Sequence, residues 1–403
     1  MALKLGIILQ HPLSSSLGTI VRVLGFSRAL AEQNVQVNIF SPLEQNRLIE
    51  KNLTVYNIKA GFSLTEGYRI AKLIYRSHFL AKRLLINETM ITAAARRLVR
   101  GTLEAVSSSK LELDLIQGEQ EIPSLAAADV GASLSIPSVA DFHNVWAEEV
   151  VDIGILSDKE TVLKDLTRKV INRTDLVFTP TNYMSNYLKE RYCAKNVAYI
   201  PSGSSLLTDS ARGNYQAPYK IVYSGSLEKH ENVELYIQAA ALAAAQRKDV
   251  EFYVTGKGED ASELKRLASQ INAPVRFLWF QSGQEYHDFL LQCHIGIIPW
   301  EDKMSRRLGF PMKLLDYESA GLATIATKIE GWVEAYDGSQ AILSCDPEPQ
   351  KMADTIIHLL QKPDEIRKIG ETARLVAKEA KWSNSAKIMI REYSELLKKS
   401  HVD

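Results

Sequence analysis

Short apolar runs separated by amphipathic helical stretches, set out twice along the chain, constrain the fold more than any other feature. This alternation builds parallel sheets covered by helices on both faces. The first series opens with a strand at 5–9, crosses a loop holding Ser14, Ser15, Ser16 and Gly18, enters a helix at 19–33 and returns as a strand at 35–40. Further strands are expected at 113–117, 138–142, 176–179 and 197–200. The stretch YIPSGSSLLTDSARGNYQAP, residues 199–218, is rich in Ser, Gly and Pro without an apolar period, and reads as a linker. A second series follows, with strands at 220–223, 251–255, 275–280, 295–299 and 323–326 and helices at 233–246, 261–271, 284–292 and 312–320. Helices at 350–360, 363–379 and 384–399 close it.

The expectation is an α/β chain of two doubly wound, Rossmann-like domains facing each other across a cleft. Their bounds are 1–202 and 219–381, joined by a linker at 203–218, with 382–403 packing back on the first domain. A length of 403 residues suits two cores. In such sheets ligands bind beyond the carboxyl ends of the strands, which makes the cleft the expected site.

The formal net charge is zero, so the whole molecule offers no footprint for nucleic acid. Charge is nonetheless segregated. Between Arg47 and Lys110 the only acids are Glu50, Glu66, Glu88 and Glu104 among many Lys and Arg, whereas from Leu111 to Glu160 the only base among many acids is Lys159. Within 68–100, apolar residues at helical spacing (Ile70, Leu73, Ile74, Phe79, Leu80) alternate with Lys72, Arg76, Lys82 and Arg83. Such a helix either lies on an anionic membrane or packs its apolar face on its own domain. Cys193, Cys293 and Cys345 are odd in number and widely spaced, which suggests neither a disulfide framework nor a zinc site. No stretch approaches the roughly 20 apolar residues of a membrane span. The expected location is the cytoplasm, with peripheral contact at the inner face of the membrane.

The most informative motif is Gly309-Phe310-Pro311-Met312-Lys313-Leu314-Leu315-Asp316-Tyr317, followed by Ala320-Gly321. Pro311 suits a first helical turn, and Gly309 lets backbone approach a ligand. Exposed N–H groups at such a helix start bind anions, with Lys313 adding charge. Asp316, one turn on, can accept two vicinal ribose hydroxyls. A plain capped helix with solvated Lys and Asp fits the same spacing. Gly256-Lys257-Gly258 after a strand has the shape of a phosphate cradle or of a tight turn, and lacks the third glycine of the dinucleotide fingerprint.

LGFPMKLLDYESAGLATIA resembles the E-G-x-P-x-x-x-x-E-A-M-A-x-G-x-P-V-V-A pattern of family 4 glycosyltransferases. VYSGSLEKHENVELYIQAA, FYVTGKGEDASELKRLA, IIPW and TKIEGWVEAYDGSQAIL resemble that family's neighbouring units in order, so the likeness covers 220–382 and extends more weakly over the first domain. The resemblance implies the GT-B fold and retaining transfer of a sugar from a nucleotide-diphosphate donor to a glycan, lipid-linked or small-molecule acceptor, as in polysaccharide or glycolipid synthesis. It implies a donor site on Gly225, Ser226, Lys229, Lys257, Phe280, Gln281, Gly309, Phe310, Pro311, Leu314 and Asp316, with Phe280 and Gln281 at the nucleobase. SVADFHNVWAEE resembles a strand ending in T-x-H-D, which puts His143 at a strand's carboxyl end as a catalytic group, with Asp141 and Asn144 as companions. Gly18 and Thr19 fall where the family has a Gly-rich turn on the acceptor side.

Three departures bear on the chemistry. The family's first glutamate falls on Leu308 and its second on Asp316. Its diphosphate-binding Arg and Lys fall on Ser226 and Glu231. Other cations must then neutralise the diphosphate, and the expected ones are Lys313 and Arg307, chosen from a set that includes Lys229, Lys257 and Arg306. No D-x-D pair occurs, so no metal and no cofactor are expected. The same losses fit an alternative, a catalytically silent GT-B partner of an active transferase. A phosphorylase lacks support for want of a pyridoxal lysine motif, and an epimerase for want of paired acid and base groups.

Overall fold

A computed structural model describes residues 2–13, 18–42, 44–58, 87–152, 157–204, 215–333 and 341–400. The chain divides into two compact units, Met1–Gly203 with Trp382–Asp403, and Ser204–Lys381.

The first unit is built on an eight-stranded sheet: β1 (Lys4–Ile8), β2 (Gln36–Ser41), β3 (Arg47–Glu50), β4 (Leu53–Asn57), β5 (Leu115–Glu119), β6 (Ser138–Asp141), β7 (Leu176–Thr179) and β8 (Val197–Tyr199). Their spatial order is β3-β4-β2-β1-β5-β6-β7-β8. All neighbours are parallel except β3 with β4, an antiparallel edge that the parallel pattern of the sequence does not announce. The inner strands are apolar because helices cover both faces. Leu5, Ile7, Ile39, Val55, Leu115, Val139 and Phe178 are fully or almost fully buried. Helix α1 (Gly18–Glu32) follows β1, α2 (Glu88–Ser108) precedes β5 and α3 (Glu121–Leu134) follows it. The start of α2 is fixed by Asn87, whose side chain accepts the Met90 N–H at 2.9 Å.

Three more helices, α4 (Trp146–Asp152), α5 (Ser157–Arg173) and α6 (Asn182–Tyr192), complete this part of the chain. A last helix, Trp382–Ser400, returns from the far end of the sequence to lie on α1. The approach is close: a Cβ at Gly25 would lie 2.2 Å from Trp382 Cε2, so only glycine fits under that indole. Tyr393 from the same helix reaches the middle of β5, its hydroxyl 2.5 Å from Gln117 Oε1.

The second unit carries a six-stranded, wholly parallel sheet: β9 (Tyr219–Ser224), β10 (Val250–Thr255), β11 (Val275–Leu278), β12 (Ile295–Ile298), β13 (Ala323–Thr327) and β14 (Ile342–Cys345). The order is β11-β10-β9-β12-β13-β14, the doubly wound arrangement whose direction of growth reverses between β9 and β12. Its helices are α7 (Val233–Gln246), α8 (Ala261–Gln270), α9 (Gly283–Leu290), α10 (Met304–Leu308), α11 (Met312–Ala320), α12 (Pro349–Leu360) and α13 (Pro363–Glu379). One face of the sheet buries Ile221, Ile295, Ile297 and Ile325 against α7 and α12. The other buries Val222 and Ile298 with Leu314, Tyr317 and Trp332. Residues 205–214 of the expected linker, and 68–86 of the basic stretch, lie outside the described residues. The rest of that stretch, 87–100, belongs to α2. None of the described helices is long and apolar enough to cross a membrane.

Candidate functional site

In the second unit, polar side chains collect at the switch point, beyond the carboxyl ends of β9 and β12, where open α/β sheets bind ligands. After β9 the chain turns at Gly225, with φ near 150°, and passes through a single 3₁₀ turn, Lys229–Glu231, into α7. Two features hold that turn to glycine. A Cβ on Gly225 would meet Lys313 Nζ at 2.7 Å, and one on Gly256 would meet the Gly225 carbonyl at 1.7 Å.

Glu231, only 6% exposed, is the centre of the cluster. Its Oε2 accepts from Lys313 Nζ at 2.5 Å, Trp300 Nε1 at 2.8 Å and Tyr223 Oη at 3.0 Å. Its Oε1 lies 3.5 Å from Arg306 Nη2 and 3.7 Å from His230 Nε2. The Tyr223 hydroxyl accepts from Lys313 at 3.1 Å and has one proton to give, to Glu231 or to the Ser226 carbonyl at 2.7 Å. Lys313 also lies 4.4 Å over the Tyr223 ring, and the Arg306 guanidinium 4.4 Å over Trp300. Burial opposes ionisation of Glu231, but Lys313 and then Arg306 outweigh it and hold the carboxyl far below the usual range. Burial lowers the Lys313 ammonium, an effect that Glu231 opposes.

Helix α11 brings Lys313 and Asp316 into this region. Asp316 accepts from Tyr286 Oη at 3.2 Å, and burial lifts its carboxyl to about 7. The Tyr286 hydroxyl is also 2.6 Å from Ser224 Oγ. Tyr317 ties the switch point together, accepting the Ser224 N–H at 2.8 Å and donating to the Ile297 carbonyl at 3.3 Å. Pro311 caps the helix, Phe310 packs edge-on against Trp332, and Leu314 is buried. Leu308, in the place of the family's glutamate, is wholly buried. Glu318, on α11, is wholly buried with neither carboxylate oxygen hydrogen-bonded, and burial lifts it to about 8.

The other expected donor residues lie at different distances from this centre. Arg307 is committed elsewhere: Nε and Nη2 hold Asp302 at 2.8 and 2.7 Å, and Nη1 holds Glu330 at 2.5 Å. The cation beside Lys313 is instead Arg306. Ser226 and Lys229 are exposed, and the exposed Lys257 lies 3.5 Å over the Trp279 ring. Phe280 falls after β11, not inside it, half-buried against Tyr286 and Phe289. Gln281 is exposed and donates its N–H to Glu285. Gly309, half-buried, ends α10.

The first unit holds a separate buried cluster at the carboxyl ends of β5 and β6, where Glu119 and Asp141 are register partners. Arg22, projecting from α1, reaches both Asp141 oxygens at 3.3 Å, Ser202 Oγ at 2.9 Å and the Ile200 carbonyl at 3.1 Å. His143 Nε2 is 3.0 Å from Glu119 Oε2 and 3.5 Å from Asp141 Oδ2, at ion-pair distance but outside hydrogen-bonding angles. Burial disfavours the imidazolium, yet Asp141 and Glu119 outweigh it and raise His143 above its ordinary value. Asp141 is held low by Arg22 and His143 against its burial, while Glu119 is pushed up, first by burial and then by Asp141. Gln117 braces Glu119 at 2.7 Å and is itself held by Tyr393.

Glu119, Asp141 and His143 could together offer a metal three ligand atoms within 4.8 Å of one another, but Arg22 and His143 already supply their countercharge. Asn144 faces away from the cluster, accepting from Gln120 and donating to Glu149. Gly18 and Thr19 open α1, with Gly18 exposed and open space where a Cβ would stand. A cavity of about 930 Å³ in this unit lies at the opposite, amino ends of β6 and β7, lined by Ser138, Asp175 and Asn196, and serves neither cluster.

Several of these residues have a sequence signal that the motif reading passes over. Arg22 interrupts the apolar face of α1, a charge that burial requires to be paired. Gln117 and Glu119 are two apart on one strand and so project to one side. Trp300 ends the apolar run of β12 with an indole N–H that needs an acceptor.

The model for "Glycosyltransferase Family 4" matches residues 18–206, and that for "Glycosyl transferases group 1" matches residues 218–362. A D-inositol 3-phosphate glycosyltransferase of Corynebacterium urealyticum is 26% identical over 207 residues, 48% of this chain and 48% of the relative, so the chain spans about half the length of that protein. Among solved structures, sucrose-phosphate synthase from Thermosynechococcus elongatus is 15% identical with a TM-score of 0.77, covering 98% of this chain and 100% of that one. Anabaena HepE in complex with UDP and glucose is 12% identical with a TM-score of 0.70 at the same coverage. The fold of the chain is therefore GT-B.

Proposed function

Because this chain belongs to the family 4 glycosyltransferases, we propose that it transfers a sugar, a hexose on this reading, from a nucleoside-diphosphate donor held by its second unit. The acceptor, a glycan, lipid-linked or small molecule, is held by the first unit, and the anomeric configuration of the sugar is retained. The observation that carries this reading is the convergence of Lys313, Arg306, Trp300 Nε1 and Tyr223 Oη at the switch point of the second sheet. These groups donate hydrogen bonds to an anion, and cations placed there stabilise negative charge as it builds on a leaving diphosphate. That stabilisation is the step asked of this unit, without a metal.

Asp316 supplies a carboxylate one turn from Lys313, suited to the vicinal hydroxyls of a ribose, with Tyr286 and Phe280 beside it as an aromatic wall. In the first unit Asp141 and Glu119 favour the charged form of His143, placing a positive imidazole at a strand's carboxyl end. Such a group hydrogen-bonds a sugar hydroxyl or offsets charge at the reacting carbon. Work at the inner face of the membrane on a lipid-linked acceptor, through the basic stretch 68–100, belongs to the same proposal.

The test is a thermal-shift panel of uridine, guanosine and adenosine diphosphate sugars, repeated on Lys313→Ala and Asp316→Ala. One donor class should raise the melting temperature of the wild type, and each substitution should reduce that rise. Stabilisation unchanged by both substitutions would place the donor elsewhere.

A further inference from the structure

The groups around Glu231 converge their donors on one anionic carboxylate. The Lys313 ammonium, the Arg306 guanidinium and the Trp300 N–H are donors with no accepting capacity, and Tyr223 directs its hydroxyl to the same point. In this structure the anion is a side chain of the protein itself. We propose that Glu231 is an internal occupant of the anion centre, a counterion that a donor's diphosphate must compete with for Lys313, and that it thereby sets donor affinity.

Three observations separate this from an ordinary structural ion pair. Glu231 stands on a single 3₁₀ turn at the mouth of the switch point, not on one of the packed helices. Lys313 Nζ stands 2.7 Å from where a Cβ on Gly225 would lie, so the bare backbone there makes room for the ammonium one residue from the exposed Ser226. The charge count is also informative: Lys313 and Arg306 against Glu231 leave one net positive charge for a ligand that brings two or more negative ones. A buried pair of this kind contributes little net stability, because desolvation offsets the attraction, whereas holding donors in place for an incoming anion is a use the geometry supports. Glu231 is thus a positioning residue. It keeps Lys313 and Arg306 aimed while no donor is bound, and weakens the donor's hold once one arrives.

The inference rests on the donor site proposed above, and one experiment separates the two. Wild type and Glu231→Gln are titrated, at low and high salt, with the nucleoside diphosphate that stabilises the wild type and with the matching nucleoside. Removing one negative charge within a few ångströms of the phosphates should tighten nucleoside diphosphate binding on the order of tenfold and steepen its salt dependence. Nucleoside affinity should stay unchanged, a split that a merely structural role does not produce. Should the Gln variant not fold, Glu231→Asp keeps the charge but draws it back by one methylene, and should tighten binding in the same direction. Equal or weaker nucleoside diphosphate binding by the folded variant overturns the inference alone. A wild type that binds neither compound overturns the donor site and the inference together.

Discussion

Replacing Arg22 with Met tests the electrostatic account of the first unit, because it removes the charge while keeping much of the side chain's length. Arg22 is 2% exposed and donates to four acceptors: both oxygens of the fully buried Asp141, Ser202 Oγ and the Ile200 carbonyl. The substitution leaves Asp141 with His143 as its remaining cationic partner and strands two neutral acceptors. Breaking a buried pair from one side costs about 3–5 kcal/mol, since the remaining charge stays desolvated. At about 2–4 °C per kcal/mol for a unit of this size, the melting temperature should fall by about 6–20 °C.

The loss should also depend on pH in a defined direction. The carboxyl of Asp141 is depressed below its ordinary 3.8 in the folded state, so its stabilisation is present above that value and is lost as pH falls through the folded value. The gap between wild type and variant should therefore narrow in strong acid. Differential scanning calorimetry across pH resolves the transition of each unit and suits a two-unit chain. A drop under about 2 °C at neutral pH, or a gap that widens in acid, would refute the reasoning.

Two further predictions concern the second unit. Glu318 is raised to about 8 from its ordinary 4.5, so its contribution is fully present below 4.5 and is lost as pH rises toward 8, at about 1.4 kcal/mol per pH unit. Glu318→Gln should remove that increment from the slope in chemical-denaturation curves, leaving the part due to Asp316, and an unchanged slope would show that Glu318 does not contribute to it. Tyr317→Phe strips the Ser224 N–H of its acceptor and the Ile297 carbonyl of a donor, and should cost about 1–3 kcal/mol by the same measurement. A cost near zero would mean that the hydroxyl does not tie β9 to β12.

The parts of the fold legible in the sequence are those where one element carries its own pattern. Helices α7, α11 and α13 were expected at 233–246, 312–320 and 363–379, and lie there on local signals: an Ala-rich run of helix formers in α7, Gly321 in the left-handed conformation ending α11, and Pro363 opening α13. Five of the six strands of the second sheet were legible for a related reason, since parallel strands covered on both faces read as apolar runs, whereas β14 at Ile342–Cys345 was not expected. Strand β3 was not, because an exposed edge such as Arg47–Glu50 carries no apolar pattern. Helix α5 was missed as well, its charged sequence hiding the face that buries Leu163, Leu166 and Val170.

The candidate site divides along the same line. Lys313, Asp316 and His143 were readable because each stands at a fixed offset from a turn or a strand end. Arg306 and Arg307 are adjacent, and which of them meets Lys313 depends on where Asp302, Glu330 and Glu231 fall in space. Likewise the bond of Tyr393 to Gln117 joins residues 276 apart in the chain, a separation that no local pattern encodes.

The chain leaves the first unit at Gly203 and re-enters it at Trp382, which places the whole second unit as an insert inside the first. During synthesis the ribosome must therefore complete the inserted unit before the host unit receives the helix that covers Gly25 and braces Gln117. Until then α1 exposes an indole-sized hollow to the cell, and a chain stopped at residue 381 keeps it. The order of maturation is thus inverted relative to the order of translation: the part made second has all its pieces first.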